Sequence, residues 1–260
     1  MNTKTFTLTV VLLCAIVPVF NADALTPLTG DEIAQMVYNR DDGEDSYSKI
    51  EMILIDKNGN ERVRSLITHT KDYGELRKNF VRFFSPADIE ETGFLSWENE
   101  AGDDTQYLYL PDLGRSRRIV SSQKDLRFVN TDFTYEDMQR RRPEKDSHKL
   151  LKEEKWHGYS CYVVEYTPKE KKSSQYAKTV QWIEKESLIP VKVEFYNKKG
   201  KIFKELKVAK LEKVNGIWTS MDMLMDDFSE KHKTRMRVLE VLYNRGMDDE
   251  VFTLQNMEDY

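Results

Sequence analysis

Cysteine is almost missing from this chain. Of 260 residues only Cys14 and Cys161 are cysteines, and Cys14 sits inside an N-terminal apolar stretch, so no disulfide can brace the remainder of the chain. Stability must come from a buried core, and Cys161, inside an alternating strand pattern, reads as a small buried hydrophobe. Histidine is scarce as well. His69, His148, His157 and His232 fall at no short metal-ligand spacing, which leaves a metal centre without its usual signature.

Other absences narrow the chemistry further. There is no G-x-S-x-G elbow, no G-x-G-x-x-G and no phosphate-binding P-loop, so the common nucleophile and nucleotide motifs are excluded. Asp56-x-Asn58-x-Asn60 begins like a calcium loop, but Glu61 stands where glycine is required and Ile67 where the bidentate glutamate belongs. A hairpin turn is the better reading. The acidic pairs Asp103-Asp104, Asp226-Asp227 and Asp248-Asp249 are neighbours in sequence, and neighbours on a strand point to opposite faces, which suits solvated turns rather than paired catalytic carboxylates. No excess of one charge exists either: 40 basic and 45 acidic residues give a net charge of -5 with the signs interspersed, which argues against a nucleic-acid partner. The basic runs Arg115–Arg118 and Arg140–Arg142 have acidic neighbours and read as ion-paired surface.

What is present starts with a leader. A short basic start, an apolar run from Phe6 to Phe20 and Ala22-Asp-Ala24 form a signal peptide with an A-x-A cleavage site, residues 1–24. Cys14 follows Leu12-Leu13 instead of the small residues that lipid attachment needs. Beyond the leader no apolar run reaches membrane-spanning length. With 39% hydrophobic and 33% charged residues, residues 25–260 read as one exported globular domain with a well-solvated surface.

The local patterns of that domain are mostly period two. Thr29 to Glu32 has capping-box spacing, and Ile33, Met36 and Val37 then share one face of a short helix. Ile50, Met52 and Leu54 open a hairpin that returns through Val63, Ser65 and Ile67. Further strand patterns occupy Lys78–Phe84, Phe94–Trp97, Gln106–Leu110, Arg117–Ser121, Tyr159–Tyr166, Thr179–Glu184, Val191–Tyr196, Ile202–Leu211, Trp218–Met225 and Arg235–Leu242. Tight turns between them predict an antiparallel meander, with helical interruptions expected at Phe133–Arg142 and near Asp248–Phe252. Several strands are apolar on both faces, as at Phe80, Val81, Phe83 and Phe84. Such strands imply a curled sheet with a covered outside, a cavity lined by aromatics, or an ordinary filled core.

One stretch is more specific. GFLSWENEAGDDTQYLYLPDLGRSRRIVSSQKDLRFVNTDFTYEDM, from Gly93 to Met138, resembles the outer membrane lipoprotein-sorting protein family, a LolA-like group. The resemblance rests on the Gly…Leu-x-Trp segment, Tyr109-Leu110-Pro111, Arg117-Arg118-Ile119 and the Asp-Phe-x-Tyr-Glu-Asp run of Asp132–Asp137. It extends more weakly through most of the mature chain. Where that family has Gly-Ser before the aspartate, this chain has Asn130-Thr131, and asparagine keeps the left-handed turn accessible.

The resemblance implies a mainly β fold, a half-open antiparallel barrel whose apolar concave face is covered by short helices. It also implies a periplasmic, monomeric carrier of a lipid or lipidated protein, working beside an RND-type exporter, without cofactor, metal or catalytic residues. Expected cleft residues are Met52, Leu54, Phe80, Phe94, Trp97, Leu108, Leu110, Met223 and Met225, methionine being suited to irregular ligands. A lid is expected from the helix carrying Phe133, Tyr135 and Met138, with Asp132, Glu136 and Asp137 paired to Arg117 and Arg118. The alternatives are a regulatory sensor on the same fold and a polysaccharide-active enzyme that uses aromatic stacking and a carboxylate pair.

Overall fold

A computed structural model describes Met1 and residues 27–259; the remainder of the expected leader lies outside the described residues. The first element is helix α1, Gly30–Tyr38. Thr29 caps it as its spacing predicts: the Thr29 hydroxyl accepts from the Glu32 amide at 3.2 Å, and the Glu32 carboxylate accepts from the Thr29 amide at 2.7 Å. Gly30 is required there, because a Cβ would lie 2.7 Å from the His148 backbone carbon.

Thirteen strands follow: β1 Asp45–Ile55, β2 Glu61–Tyr73, β3 Leu76–Ser85, β4 Gly93–Trp97, β5 Thr105–Leu110, β6 Arg115–Ile119, β7 Asp146–Trp156, β8 Tyr159–Pro168, β9 Lys178–Glu184, β10 Pro190–Tyr196, β11 Ile202–Val214, β12 Ile217–Asp227 and β13 His232–Tyr243. Helix α2, Leu254–Asp259, comes last, after a 3-10 turn at Asp249–Phe252. All strands join one antiparallel sheet in the order β6-β5-β4-β3-β2-β1-β13-β12-β11-β10-β9-β8-β7. Two meanders therefore meet where β1 pairs with β13, and the free edges, β6 and β7, are neighbours in sequence. The chain between them, residues 120–145, must travel from one edge of the curved sheet to the other. It becomes a strap across the concave face.

The β1–β2 turn is the one that the Asp56 motif announced, with the Asp56 carboxylate accepting from the Asn58 and Asn60 amides at 2.8 and 2.9 Å. Strand β7 carries no such announcement. Lys149, Lys152, Glu153, Glu154 and Lys155 interrupt any apolar alternation, and this charge is what an edge strand uses to discourage pairing with another sheet.

Registers explain the strands that are apolar on both sides. Val81 pairs with Phe94 and Phe94 with Leu108, and all three belong to the main core on the concave side, beneath Phe128, Phe133 and Tyr135 of the strap. Phe80 pairs with Leu95 and faces the other way, where Phe252 and Met257 of the C-terminal segment cover it. Arg82, 1% exposed, donates from the same outer face to the Met257 carbonyl and ties the tail down. The sheet is thus apolar on both faces because both are covered, the inner by the strap and α1, the outer by α2 and its preceding turn.

Candidate functional site

The strap is not a helix. Where helical periodicity was expected at Phe133–Arg142, the chain runs through turns, and a single bridge joins Arg127 to Thr134. The backbone forbids a helix at its approach: Val129 and Asn130 both adopt left-handed conformations, with φ of 47° and 61°. Asn130 thereby supplies the turn expected of it, while a β-branched valine in that region is a strained conformation that surrounding contacts must hold. One such contact is the Arg64 guanidinium, which donates to the Val129 carbonyl at 2.7 Å.

Buried polar groups fasten the strap to the sheet. Asp132, whose side chain is fully buried, accepts from the Thr234 hydroxyl at 2.7 Å, lies 2.7 Å from His232 Nδ1 and 3.3 Å from Arg127. Asp137 accepts from Lys204 Nζ and from the Tyr176 hydroxyl, each at 2.6 Å. Burial and the adjacent Asp137 carboxylate push the Tyr176 phenol well above its ordinary range, so it remains a proton donor. Glu136 accepts from the Gln175 amide at 2.9 Å, and Gln106 of β5 donates to the Tyr135 carbonyl at 3.0 Å. Both halves of the sheet hold the strap.

The expected pairing of Arg117 and Arg118 with Asp132, Glu136 and Asp137 does not form. Both arginines are exposed on edge strand β6, and only Arg117 reaches the strap, at the Tyr135 hydroxyl. A carboxylate without solvent needs a partner that is equally desolvated, and Lys204 at 2% side-chain exposure meets that requirement.

Under the strap the two halves of the concave face differ. Against β1–β6 the space is filled: Phe128 meets Phe94 at 5.1 Å between ring centroids and Tyr135 at 5.8 Å. Against β8–β12 a cavity of about 380 Å³ remains, within the size range of small-molecule sites. Its apolar walls are Ala34 and Val37 of α1, Phe133 of the strap, and Val193, Phe195, Leu206 and Met225 of the sheet. Charged and polar groups stand among them, but Arg40, Arg140, Arg141 and Lys178 are each already paired with an acid. Tyr166 and His148 complete the wall on β8 and β7.

The fold has counterparts among known structures. A DUF1329 family protein from Desulfovibrio piger shares 31% identity, with 88% of this chain and 97% of that one covered and a TM-score of 0.83. A Vibrio parahaemolyticus domain assigned to outer membrane lipoprotein sorting shares 32% identity over 88% of this chain and 98% of its own, also at 0.83. A family model described as that of an uncharacterized protein matches residues 75–259. The chain belongs to the outer membrane lipoprotein-sorting protein family of these DUF1329-type relatives. A LolA superfamily protein from Nitrosomonas europaea, 17% identical with 87% of this chain and 98% of that one covered, shares the fold at a TM-score of 0.68. No protein of curated function matches.

Within this LolA-like frame the nine expected cleft residues separate into groups. Met52, Leu54, Phe94 and Leu108 are buried in the filled half, with Leu110 packed against it. Phe80 and Trp97 lie on the outer face under the C-terminal segment, where the Trp97 indole donates to the Phe252 carbonyl at 3.1 Å. Met223 packs against a second cluster built on Cys161, Val163 and Trp182. Of the nine only Met225 lines the cavity, together with Phe133, Glu136 and Asp137 of the expected lid; Met138 packs against the main core and is not part of the cavity wall. The sequence did hold a signal for the missed wall. Val193-Glu-Phe195 alternates as a one-sided strand should, and its apolar face is the cavity floor. Cys161 is fully buried with its thiol pushed up to about 11 by burial, so it serves as packing.

Proposed function

We propose that this protein is a periplasmic carrier that shields the acyl chain of a lipid or lipidated protein in the cavity between α1, the strap and β8–β12. The observation that carries the reading is the cavity itself: Phe133, Val193, Phe195 and Met225 belong to the concave core, yet beside them a space of about 380 Å³ is left among otherwise dense side chains. Protein interiors rarely leave such space without use. An acyl chain exposed to water costs about 0.8 kcal/mol for each CH₂, so burying a typical chain recovers on the order of 10 kcal/mol. An apolar cavity closed by a strap with polar latches can supply that burial and still open, provided the latches are of moderate strength.

The kinship with a domain assigned to outer membrane lipoprotein sorting supports the same reading, and among the described residues no helix is long and apolar enough to cross a membrane. In this proposal residues 25–260 act as one monomeric domain released from its leader, and an RND-type exporter is the partner at the membrane. The chemistry is binding, not turnover: the expected lid acids are committed to structural partners.

Native mass spectrometry of the mature protein, purified from the periplasm without detergent, tests this. The expected spectrum contains a bound species whose mass excess is extracted as an acyl-containing molecule. A protein that arrives empty and takes up no fluorescent fatty acid would contradict the carrier.

A further inference from the structure

Three residues of the cavity wall, Arg40, His148 and Tyr166, each keep a buried polar side-chain atom without a hydrogen-bond partner, and two of these residues sit side by side. His148 Nε2 and the Tyr166 hydroxyl are both buried and have no hydrogen-bond partner. They belong to residues paired across strands β7 and β8, whose rings meet edge to face at 4.6 Å and 83°, and both residues line the cavity. The His148 side chain is 2% exposed.

The tautomer follows from Asp31. Its Oδ1 lies 2.7 Å from His148 Nδ1, and because a carboxylate only accepts, the Nδ1 proton points toward α1. A neutral His148 then presents Nε2 to the cavity as an acceptor. Burial, with Asp146 nearby, raises the Tyr166 phenol above its ordinary range, so its hydroxyl stays protonated and can donate. The wall therefore offers one acceptor beside one donor.

We propose that His148 and Tyr166 read the head group of the ligand, and that this head is the carboxyl of a single-chain fatty acid. The carboxyl O–H donates to His148 Nε2 while its C=O accepts from the Tyr166 hydroxyl, and both stranded atoms gain partners. Transfer of the acid's proton to the ring leaves an imidazolium between two carboxylates, Asp31 on one side and the ligand on the other. A phosphate head fits less well, since Arg140, Arg141 and Lys178 are already engaged by Glu98, Asp146 and Glu165, and Arg40, held by Asp42, keeps only its Nε–H free. The assignment rests on the carrier reading and adds the ligand class to it.

Calorimetric titration of the full mature protein with palmitic acid, its methyl ester and the lysophospholipid of the same chain tests the proposal. The acid is expected to bind at least tenfold more tightly than either relative. His148→Leu is expected to bring the acid down to the ester's affinity while leaving the ester unchanged, and Tyr166→Phe to weaken acid and ester alike, since the carbonyl of both accepts from that hydroxyl. The comparison of the three ligands on the unaltered protein stands even where a variant does not fold. Equal binding of acid and ester, or a preference for the lysophospholipid, would overturn the carboxyl assignment and leave the carrier standing. Binding of none of the three would overturn both.

Discussion

Lys204→Met is expected to lower the unfolding free energy by about 3–5 kcal/mol, the range for removing one partner of a buried ion pair. Lys204 Nζ sits 2.6 Å from both Asp137 and the Tyr176 hydroxyl and 3.4 Å from the Asp132 carbonyl. The side chains of Lys204 and Asp137 are 2% and 8% exposed. Without the ammonium, Asp137 keeps a charge that neither water nor a second cation relieves, and the strap loses its anchor on β11. The double variant Lys204→Met/Asp137→Leu removes both charges and is expected to regain much of the loss, since apolar replacement of a whole buried pair is often neutral or stabilising. Chemical denaturation of the two variants measures this. Equal destabilisation by single and double variants would mean that packing, not charge, holds the strap.

The second large effect separates the two halves of the concave face. In the open half, Val193→Phe places a ring into the cavity. Displacing three methylenes of a bound chain forfeits about 2.4 kcal/mol at about 0.8 kcal/mol each, a roughly fiftyfold weakening. Its stability cost should be small, because the added volume enters existing space instead of a packed region. In the filled half, Leu54→Ala should do the reverse: about 2–5 kcal/mol of stability is lost to the new void, and acyl affinity is unchanged. Fluorescent fatty-acid titration and denaturation, run on both variants, check the pair. Weakened binding in Leu54→Ala with none in Val193→Phe would place the ligand in the other half.

Much of the sheet was legible because its strands alternate and are joined by tight turns. The capping box at Thr29, the turn at Asp56 and, apart from β7, the strands between Lys78 and Leu242 follow from local spacing. Two elements escaped for identifiable reasons. Strand β7 hides its period under the lysines and glutamates of an exposed edge. The strap, expected as a helix at Phe133–Arg142, has left-handed residues at its start and is fixed by side chains distant in sequence. The latch partners Tyr176, Lys204, His232 and Thr234 lie dozens of residues downstream, so no local pattern joins them to Asp132 or Asp137.

The cleft residues illustrate the same limit. Period two shows that Phe80 and Phe94 face one side or the other of a strand, but not which side is concave. That decision depends on the C-terminal segment, where Phe252 and Met257 cover Phe80. Nor does apolarity alone tell a filled half from an open one. The strap aromatics Phe128 and Tyr135 fill the space above Phe94, while Val193 and Leu206 line the cavity with Phe133 of the strap.

Photo-crosslinking with a diazirine-bearing fatty acid, followed by peptide mass spectrometry, tests the location of the ligand most directly. Adducts on the β10–β12 peptides at Val193, Phe195, Leu206 and Met225, and on the strap at Phe133, are the predicted result. Adducts confined to Met52, Leu54 and Leu108, or to the outer face at Phe80 and Trp97, would contradict it.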